Sequence, residues 1–271
     1  MITRRNFLLG CAGALGMAAY GRYVEPSWFE VVRRRVDFFK VANGAPLRVL
    51  LLTDLHYSRF VPLTMIARAI RLGLEHEPNL ILLGGDHVLF DMELDNAAFA
   101  ETLAPLAAQA PVFACLGNHD RAVGTKKNAW VTSVLAAAKI QVLHNQAEQL
   151  TIGDKKFLLV GLGDLWNEEC WPQQAFPAND EGLPRLVLAH NPDSKELLEK
   201  YRWELMLCGH SHGGQLRLPL IGTPFAPVKD KRYVSGLNEW QGRQIYTSRG
   251  VGNLSGVRFN CRPEVTVLEL S

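Results

Sequence analysis

The chain has 271 residues, of which 48% are hydrophobic and 21% are charged. These proportions are typical of a globular protein with a sizeable core, and they exclude a disordered, collagenous or disulfide-scaffold protein. Lys and Arg total 29 against 27 for Asp and Glu, so the net charge is +2 and no nucleic-acid partner is expected. The five cysteines are scattered and include no Cys-x-x-Cys pair, which disfavours a zinc knuckle.

The N-terminal segment is predicted to direct or anchor the protein at a membrane. Arg4 and Arg5 precede an uncharged stretch that ends at Arg22. This stretch is diluted by glycine and is shorter than the ~20 strongly apolar residues of a membrane span, so it is typical of a signal peptide. Residues 3–8 resemble a twin-arginine export signal. This resemblance implies the twin-arginine export machinery as a partner, and a location in the periplasm or on the periplasmic face of the inner membrane. The alternative is an uncleaved anchor in the inner membrane.

Residues 26–40 allow two interpretations. The β-branched Val31, Val32 and Val36 favour a first β-strand, followed by a turn at residues 43–46. The alternative is an interfacial segment on anionic lipid, because four aromatic residues flank three consecutive arginines. We favour the strand.

From residue 47 onward, short apolar runs alternate with amphipathic stretches, which is the pattern of a layered α/β protein. Helical spacing of apolar residues predicts a helix after Pro62, and two alanine-rich stretches predict further helices at residues 97–108 and 129–138. The apolar runs that predict buried strands lie at residues 48–53, 80–83, 112–116, 186–189 and 205–208.

Polar residues that can bind metals begin where each of these five strands stops. Buried strands of an α/β sheet tend to gather ligand-binding groups at their carboxyl ends, so we expect these side chains to converge. A structural zinc site would use four closed ligands, often cysteine, whereas this set is larger and contains none. The candidates are Asp54, His56, Asp86, Asn118, His119, Asp120, His190, His210 and His212. The remaining histidines, His76, His87 and His144, are predicted to lie on the surface or behind the ligands.

The strings at residues 54–56, 84–86, 117–120 and 209–215 (Asp-Leu-His, Gly-Gly-Asp, Gly-Asn-His-Asp and Gly-His-Ser-His-Gly-Gly-Gln) resemble the motifs of calcineurin-like metallophosphoesterases. The resemblance covers the whole chain. It implies an α/β fold, a four-layer αββα sandwich of two mixed β-sheets flanked by helices, with a dinuclear metal site at the strand carboxyl ends. It also implies a catalytic domain at residues 41–271, after a signal or anchor segment plus lead-in at residues 1–40.

The resemblance further implies two divalent cations and a ligand set for each. Imidazole and carboxylate ligands without thiolate suit Mn²⁺, Fe²⁺ or Zn²⁺. Two such cations and two carboxylates leave a local charge of about +2, which attracts phosphate. One cation would be bound by Asp54, His56 and His212, the other by Asn118, His190 and His210, and Asp86 would bridge them.

A metal-bridging hydroxide is then expected to attack phosphorus in line. His119 is the candidate that stabilises the transition state and protonates the leaving oxygen. Asp120 either orients the His119 imidazole or only shapes the loop. Three arginines near the site loops are candidates for binding phosphate oxygens, with ordinary surface positions as the alternative. They are Arg59, Arg121 and Arg249.

The expected activity is that of a phosphoric diester hydrolase acting on a small-molecule or lipid-linked phosphodiester, or on a phosphoanhydride. An alternative is a membrane-associated pyrophosphohydrolase of a UDP-diacylglucosamine-type lipid A precursor. Four aromatic residues could then form an apolar approach for acyl chains, namely Trp28, Phe29, Trp166 and Trp171. A remote alternative is a non-catalytic metal-binding or partner-binding protein, which would not need a proton donor such as His119.

Overall fold

The computed structural model describes residues 3–39, 44–89, 95–120, 125–177 and 182–271. The helices are α1 (Arg4–Ala19), α2 (Leu63–Leu74), α3 (Asn96–Gln109), α4 (Lys126–Ala137) and α5 (Pro172–Ala175). The strands are β1 (Glu30–Val36), β2 (Leu47–Leu52), β3 (Leu80–Gly84), β4 (Val112–Cys115), β5 (Gln141–Val142), β6 (Gln146–Ile152), β7 (Lys155–Gly161), β8 (Arg185–Leu188), β9 (Leu205–Cys208), β10 (Gly236–Trp240), β11 (Arg243–Thr247) and β12 (Glu264–Leu270). Within these ranges, no helix combines the length and the apolar character needed to cross a bilayer.

The strands form two mixed six-stranded sheets. The first has the order β1-β12-β2-β3-β4-β5, in which β12 and β2 are antiparallel and the other pairs are parallel. The second has the order β10-β11-β9-β8-β7-β6, with antiparallel pairs at its two ends. All five strands predicted to end in ligands are present, as β2, β3, β4, β8 and β9.

Three apolar clusters hold the layers together. One lies between the two sheets and includes Val49 and Leu51 on β2 together with Leu207 on β9. A second packs the first sheet against the predicted helices α2, α3 and α4, and a third covers the outer face of the second sheet. The outer layer there consists of α5 and short 3₁₀ segments. The four-layer αββα sandwich is therefore confirmed.

The segment at residues 26–40 contains the favoured strand. β1 pairs in parallel with β12 along its whole length, and Phe29 and Phe38 are buried in the apolar clusters. The interfacial alternative loses two of its four aromatic residues, because Phe29 and Phe38 pack into the sandwich and are not available to lipid. The strand belongs to the first sheet although it precedes residue 41, and the predicted turn lies partly outside the described residues.

A short junction joins α1 to the sandwich. Gly21 is buried, and its carbonyl accepts a hydrogen bond of 2.9 Å from the amide of Arg258. The fully buried carboxylate of Glu25 accepts from the amides of Asn260 and Cys261. The chain is therefore tied to the folded unit from Tyr20 onward, whereas the described side chains of α1 are exposed.

Candidate metal centre

Strained backbone turns direct the predicted ligands into one space. Five of them have φ between 49° and 67°, a left-handed conformation that costs a non-glycine residue roughly 1–2 kcal/mol. Strain of this kind persists where the surroundings over-determine it, and it clusters at functional sites. Here the amides of Asp54 and His56 donate to the carbonyls of Gly85 and Asp86 at 2.9 Å. The five residues are Asp54, His56, Asp86, His210 and His212.

Glycines let the ligand segments approach each other closely. A Cβ at Gly85, where φ is +85°, would lie 2.8 Å from Nδ1 of His190. A Cβ at Gly209 would overlap the carboxylate of Asp54. A larger residue at either position would displace a ligand.

The first ligand cluster consists of Asp54, His56 and His212, all buried. Nε2 of His56 lies 3.0 Å from Nε2 of His212, and the latter lies 3.5 Å from Oδ1 of Asp54. The amide of His210 donates to both oxygens of Asp54, at 3.0 and 3.2 Å, and so orients that carboxylate. The ligand atoms of the three residues all lie within 4.8 Å of one another.

The second cluster consists of Asp86, His190 and His210, with Asn118 beside it. Nε2 of His190 lies 3.1 Å from Oδ2 of Asp86, 3.2 Å from Oδ1 of Asn118 and 3.2 Å from Nδ1 of His210. The other nitrogen of His190, Nδ1, is 2.8 Å from the carbonyl of Gly84 and donates to it. That hydrogen bond points Nε2 into the cluster, as ligand histidines require.

Asp86 joins the two clusters. Its Oδ2 lies 3.1 Å from Nε2 of His190 and also 3.5 Å from Nε2 of His56. Its Oδ1 accepts a hydrogen bond of 2.8 Å from the amide of His119. One carboxylate oxygen therefore stands between the two groups of imidazoles, as the bridging role predicted for Asp86 requires.

The protonation states of three of the four ligand histidines suit cation binding. Burial lowers the pKa of His56 to about 3 and that of His210 to about 3, so both imidazoles are neutral at pH 7. Burial also holds the pKa of His212 well below its usual range. Uncharged nitrogens and carboxylate oxygens that converge in a buried space, with no thiolate among them, fit a pair of divalent cations.

The carboxylates of the centre differ in their charge states. Burial raises the pKa of Asp54 to about 6. Burial opposes ionisation of Asp86 as well, but the adjacent His190 outweighs it and holds the pKa of Asp86 well below its usual range. For His190, burial is outweighed by Asp86 and Asp54, which raise its pKa to about 10. His190 and Asp86, with Nε2 and Oδ2 3.1 Å apart, thus each favour the charged form of the other.

The centre forms the floor of a cavity of about 450 Å³. Asp86, Asn118 and His119 line it, and the His119 ring stands edge-on to that of His56 with centroids 5.0 Å apart. The walls are largely apolar and include Trp166, Leu216, Phe225, Pro227 and Leu254. The cavity therefore gives access to the ligand clusters, with His119 beside them.

Asp120 has a different partner from the one predicted. Its Oδ2 lies 2.9 Å from Nδ1 of His87 and accepts from the amide of Gly117 at 2.9 Å, while its Oδ1 accepts from the amide of His87. In the described structure no hydrogen bond joins it to His119. Its contacts support the loop-shaping alternative and place His87 behind the ligands, as expected for that histidine.

Neither of the two candidate arginines that the structure describes, Arg59 and Arg249, lines the cavity above the centre. Arg249 pairs with Glu264 at 2.6 Å and with Glu30 at 3.1 Å, so its charge is already used. Arg59 is exposed, with its guanidinium 4.7 Å from the centroid of the Phe60 ring. Arg121 lies outside the described residues.

The aromatic approach also differs from the prediction. Of the four aromatic residues expected there, Trp166 lines the cavity, with its ring 4.3 Å from that of His210. Phe29 is instead in the core, the Trp28 ring lies under the guanidinium of Arg262, and Trp171 packs against His144.

Two buried residues near the centre were not predicted. Asp164 follows β7, where an apolar run ends in Gly-Leu-Gly-Asp, and this is the same signal that marked the five ligand segments. Burial raises the pKa of Asp164. Arg258 has no comparable signal, because its role depends on carbonyls that only folding brings together.

Arg258 braces the first cluster from behind. Its guanidinium is fully buried and donates to five backbone carbonyls, those of His212, Arg249, Gly250, Gly252 and Cys261. The amide of Gly252 in turn donates to the carbonyl of Asp54 at 2.7 Å. One side chain therefore holds the loop that contacts both Asp54 and His212.

Comparison with known proteins agrees with this geometry. The family model of calcineurin-like phosphoesterases matches residues 47–214, so the chain belongs to that family and is a phosphoesterase hydrolase. The chain is 58% identical, over the full length of both proteins, to phosphodiesterase YaeI of Escherichia coli K12.

More distant relatives cover nearly the whole chain. It is 29% identical to the uncharacterized metallophosphoesterase YkuE of Bacillus subtilis, over 99% of this chain and 98% of that one. It is 25% identical to UDP-2,3-diacylglucosamine pyrophosphatase LpxG of Chlamydia trachomatis, over 92% of this chain and 91% of that one. Phosphopantetheinyl hydrolase PptH of Mycobacterium tuberculosis shares the fold, with a TM-score of 0.50 and 10% identity over 79% of this chain and 92% of that one.

Proposed function

We propose that the protein is a phosphodiesterase that uses two divalent cations to hydrolyse a phosphodiester, or a phosphoanhydride, of a small-molecule or lipid-linked substrate. The observation that carries this proposal is the position of Asp86, whose Oδ2 lies between two buried ligand clusters on the floor of an open cavity. The 58% identity to a phosphodiesterase supports the choice of bond.

In this proposal each cluster holds one cation. Asp54, His56 and His212 would hold the first, Asn118, His190 and His210 would hold the second, and Asp86 would serve both. When bound, two divalent cations supply Lewis acidity and a nucleophile made from water. Mn²⁺, Fe²⁺ and Zn²⁺ are the candidates, because the ligands are imidazoles, carboxylates and one amide.

His119 donates the proton that the leaving oxygen needs. Its backbone amide is bound to Oδ1 of Asp86, which sets its place beside the clusters, and its side chain lines the cavity. Histidine is the side chain that enzymes use most often for general acid catalysis close to neutral pH. The apolar walls receive the organic part of the leaving group.

The assay substrate that tests this proposal is bis-p-nitrophenyl phosphate, supplied with Mn²⁺, Fe²⁺ or Zn²⁺. We expect hydrolysis by the wild type, none above background with Asp86→Ala, and unchanged rates with Asp154→Ala, an exposed acid used as the matched control. His119→Gln should retain metal but lose roughly 10²–10⁴-fold in rate. His76→Gln should keep the wild-type rate. Absence of hydrolysis with every metal, or full activity of Asp86→Ala, contradicts the proposal.

A second candidate is hydrolysis of the pyrophosphate of a UDP-diacylglucosamine-type lipid. The apolar cavity walls favour this candidate, and so does the likeness of the chain to the pyrophosphatase LpxG. A panel of phosphodiesters, nucleotides and this lipid separates the two, because the second candidate requires the lipid to be cleaved at least tenfold faster than any water-soluble diester.

We also propose that the enzyme acts at or outside the inner membrane. The exposed helix α1 begins with the arginine pair of the predicted export signal, and the fold is tied down only from Tyr20 onward. A C-terminal reporter that is active only outside the cytoplasm tests this. The wild type should give signal, and Arg4→Lys/Arg5→Lys should not.

A further inference from the structure

An apolar loop stands in solvent beside the cavity. We call residues 216–225, which follow the ligand segment at residues 210–212, the apolar lip. Leu220 is 108% exposed, Ile221 is 68% exposed and Phe225 is 69% exposed. Single exposed apolar residues are ordinary on a protein surface, but a contiguous group beside an active site marks an interaction surface.

The apolar lip separates two cavities. Leu216 and Phe225 line the catalytic cavity on one side. Leu218 and Pro219 line a second cavity of about 480 Å³ on the other side, and its opposite wall includes Met17 of α1. The apolar lip therefore borders both the catalytic cavity and the cavity at the end of α1.

The charge of this surface has one sign. The segments that build it, residues 3–24, 213–228 and 251–260, contain no acidic residue, although the chain has 27. They do contain basic residues: Arg22 is exposed just beyond the end of α1 that lines the second cavity, and Arg4 and Arg5 are exposed at the opposite end of that helix, about 20 Å away along its axis. An apolar centre with basic flanks is the arrangement that binds the interface of an anionic bilayer.

We propose that the apolar lip and α1 dock the protein on the surface of an anionic lipid bilayer, with the mouth of the catalytic cavity facing the lipid. Leu220 and Ile221 enter the boundary between headgroups and acyl chains, and the arginines contact the headgroup phosphates. A second copy of the chain is a poorer occupant, because two basic surfaces repel each other. This docking does not depend on the hydrolytic reaction.

Vesicle flotation with the full-length chain tests the proposal. We expect binding to vesicles that contain phosphatidylglycerol, at least tenfold weaker binding to pure phosphatidylcholine, and loss of binding as salt is raised. Leu220→Asp/Ile221→Asp should weaken binding to the anionic vesicles at least tenfold. Leu197→Asp, which changes an apolar residue 45% exposed on another segment, is the matched control and should bind like the wild type.

Hydrolysis of bis-p-nitrophenyl phosphate keeps docking and catalysis distinguishable. The double variant should retain the wild-type rate on this soluble ester and the wild-type urea midpoint, because its substitutions lie at the exposed tip of the loop. The proposal is overturned if the wild type does not float, if both vesicle compositions bind equally, or if the double variant binds like Leu197→Asp. It is also overturned if the wild type does not bind vesicles but forms a dimer in solution that the double substitution abolishes, because the apolar lip would then be a dimer interface.

Discussion

The two ligand clusters use the same kinds of residue at the same kind of strand end, yet they differ in their supports. In the second cluster, Nδ1 of His190 donates to the carbonyl of Gly84. In the first, Nδ1 of His56 and Nδ1 of His212 have no hydrogen-bond partner among the described residues. In the second cluster the His190 imidazole is thus oriented by its own hydrogen bond to a carbonyl, whereas the imidazoles of the first cluster are oriented by packing and by the loop that Arg258 holds.

The clusters also differ in charge before metal binds. The pKa of His56 is lowered to about 3 by burial, and the pKa of His190 is raised to about 10 because nearby carboxylates outweigh burial. At neutral pH the histidines of the first cluster are ready to bind a cation. His190 in the second must first release a proton. Both imidazoles are buried, so the nearby carboxylates, rather than burial, decide which imidazole carries a proton that a metal must displace.

The largest expected effect comes from removing one histidine from each cluster. His56→Ala and His190→Ala should each bind one metal per chain instead of two, and each should lose roughly 10³-fold in phosphodiester hydrolysis, because a cation supplies several kcal/mol of transition-state stabilisation. Elemental analysis and the rate on bis-p-nitrophenyl phosphate measure both. His144→Ala is the control variant, and it should bind two metals per chain. If either variant lost both metals, the clusters would not be separable.

Arg258→Lys should affect the first cluster selectively. Lysine cannot reach the five carbonyls that the guanidinium serves, so we expect a loss of about 2–4 kcal/mol in unfolding free energy and about 10–100-fold in affinity for the first metal. Urea unfolding and titration with a competing chelator measure these. Arg243→Lys is the control, because Arg243 also donates to carbonyls, those of Leu198 and Glu199. An equal loss at both metal sites would contradict a role confined to the first cluster.

The metal affinities of the two clusters should depend differently on pH. Metal replaces a proton on His190, so affinity at the second site should rise about tenfold per pH unit below pH 10. At the first site His56 is neutral throughout and Asp54, with a pKa of about 6, is ionised above pH 7. Affinity there should be flat from pH 7 to pH 8.5 and fall below pH 6. Chelator competition at several pH values measures both slopes, and parallel slopes would contradict the assignment.

The sequence by itself determined the parts that depend on local pattern. The apolar runs at β2, β3, β4, β8 and β9 and the polar residues that follow them are neighbours along the chain, so the ligand segments were visible without a structure. The helix α2 was visible because apolar side chains recur at the helical period, and α3 and α4 were visible because their stretches are rich in alanine. The roles of His119 and of the individual ligands stay predictions.

Other strands were harder to predict because their apolar signal is weak or interrupted. The edge strands β6 and β10 alternate between partly buried and exposed residues, and they read as polar segments. β12 is buried but carries a glutamate near each end, and it pairs with β1, which lies close to the opposite end of the chain. Its place between β1 and β2 follows from a pairing that no local pattern encodes.

Only the tertiary structure decided the contacts between distant segments. It paired Asp120 with His87 rather than His119, used the charge of Arg249 on Glu264, and buried Arg258 among carbonyls. It also exposed the apolar lip and set the opposite pKa shifts of His56 and His190. These properties depend on distance and burial, which folding sets and which residue type alone does not determine.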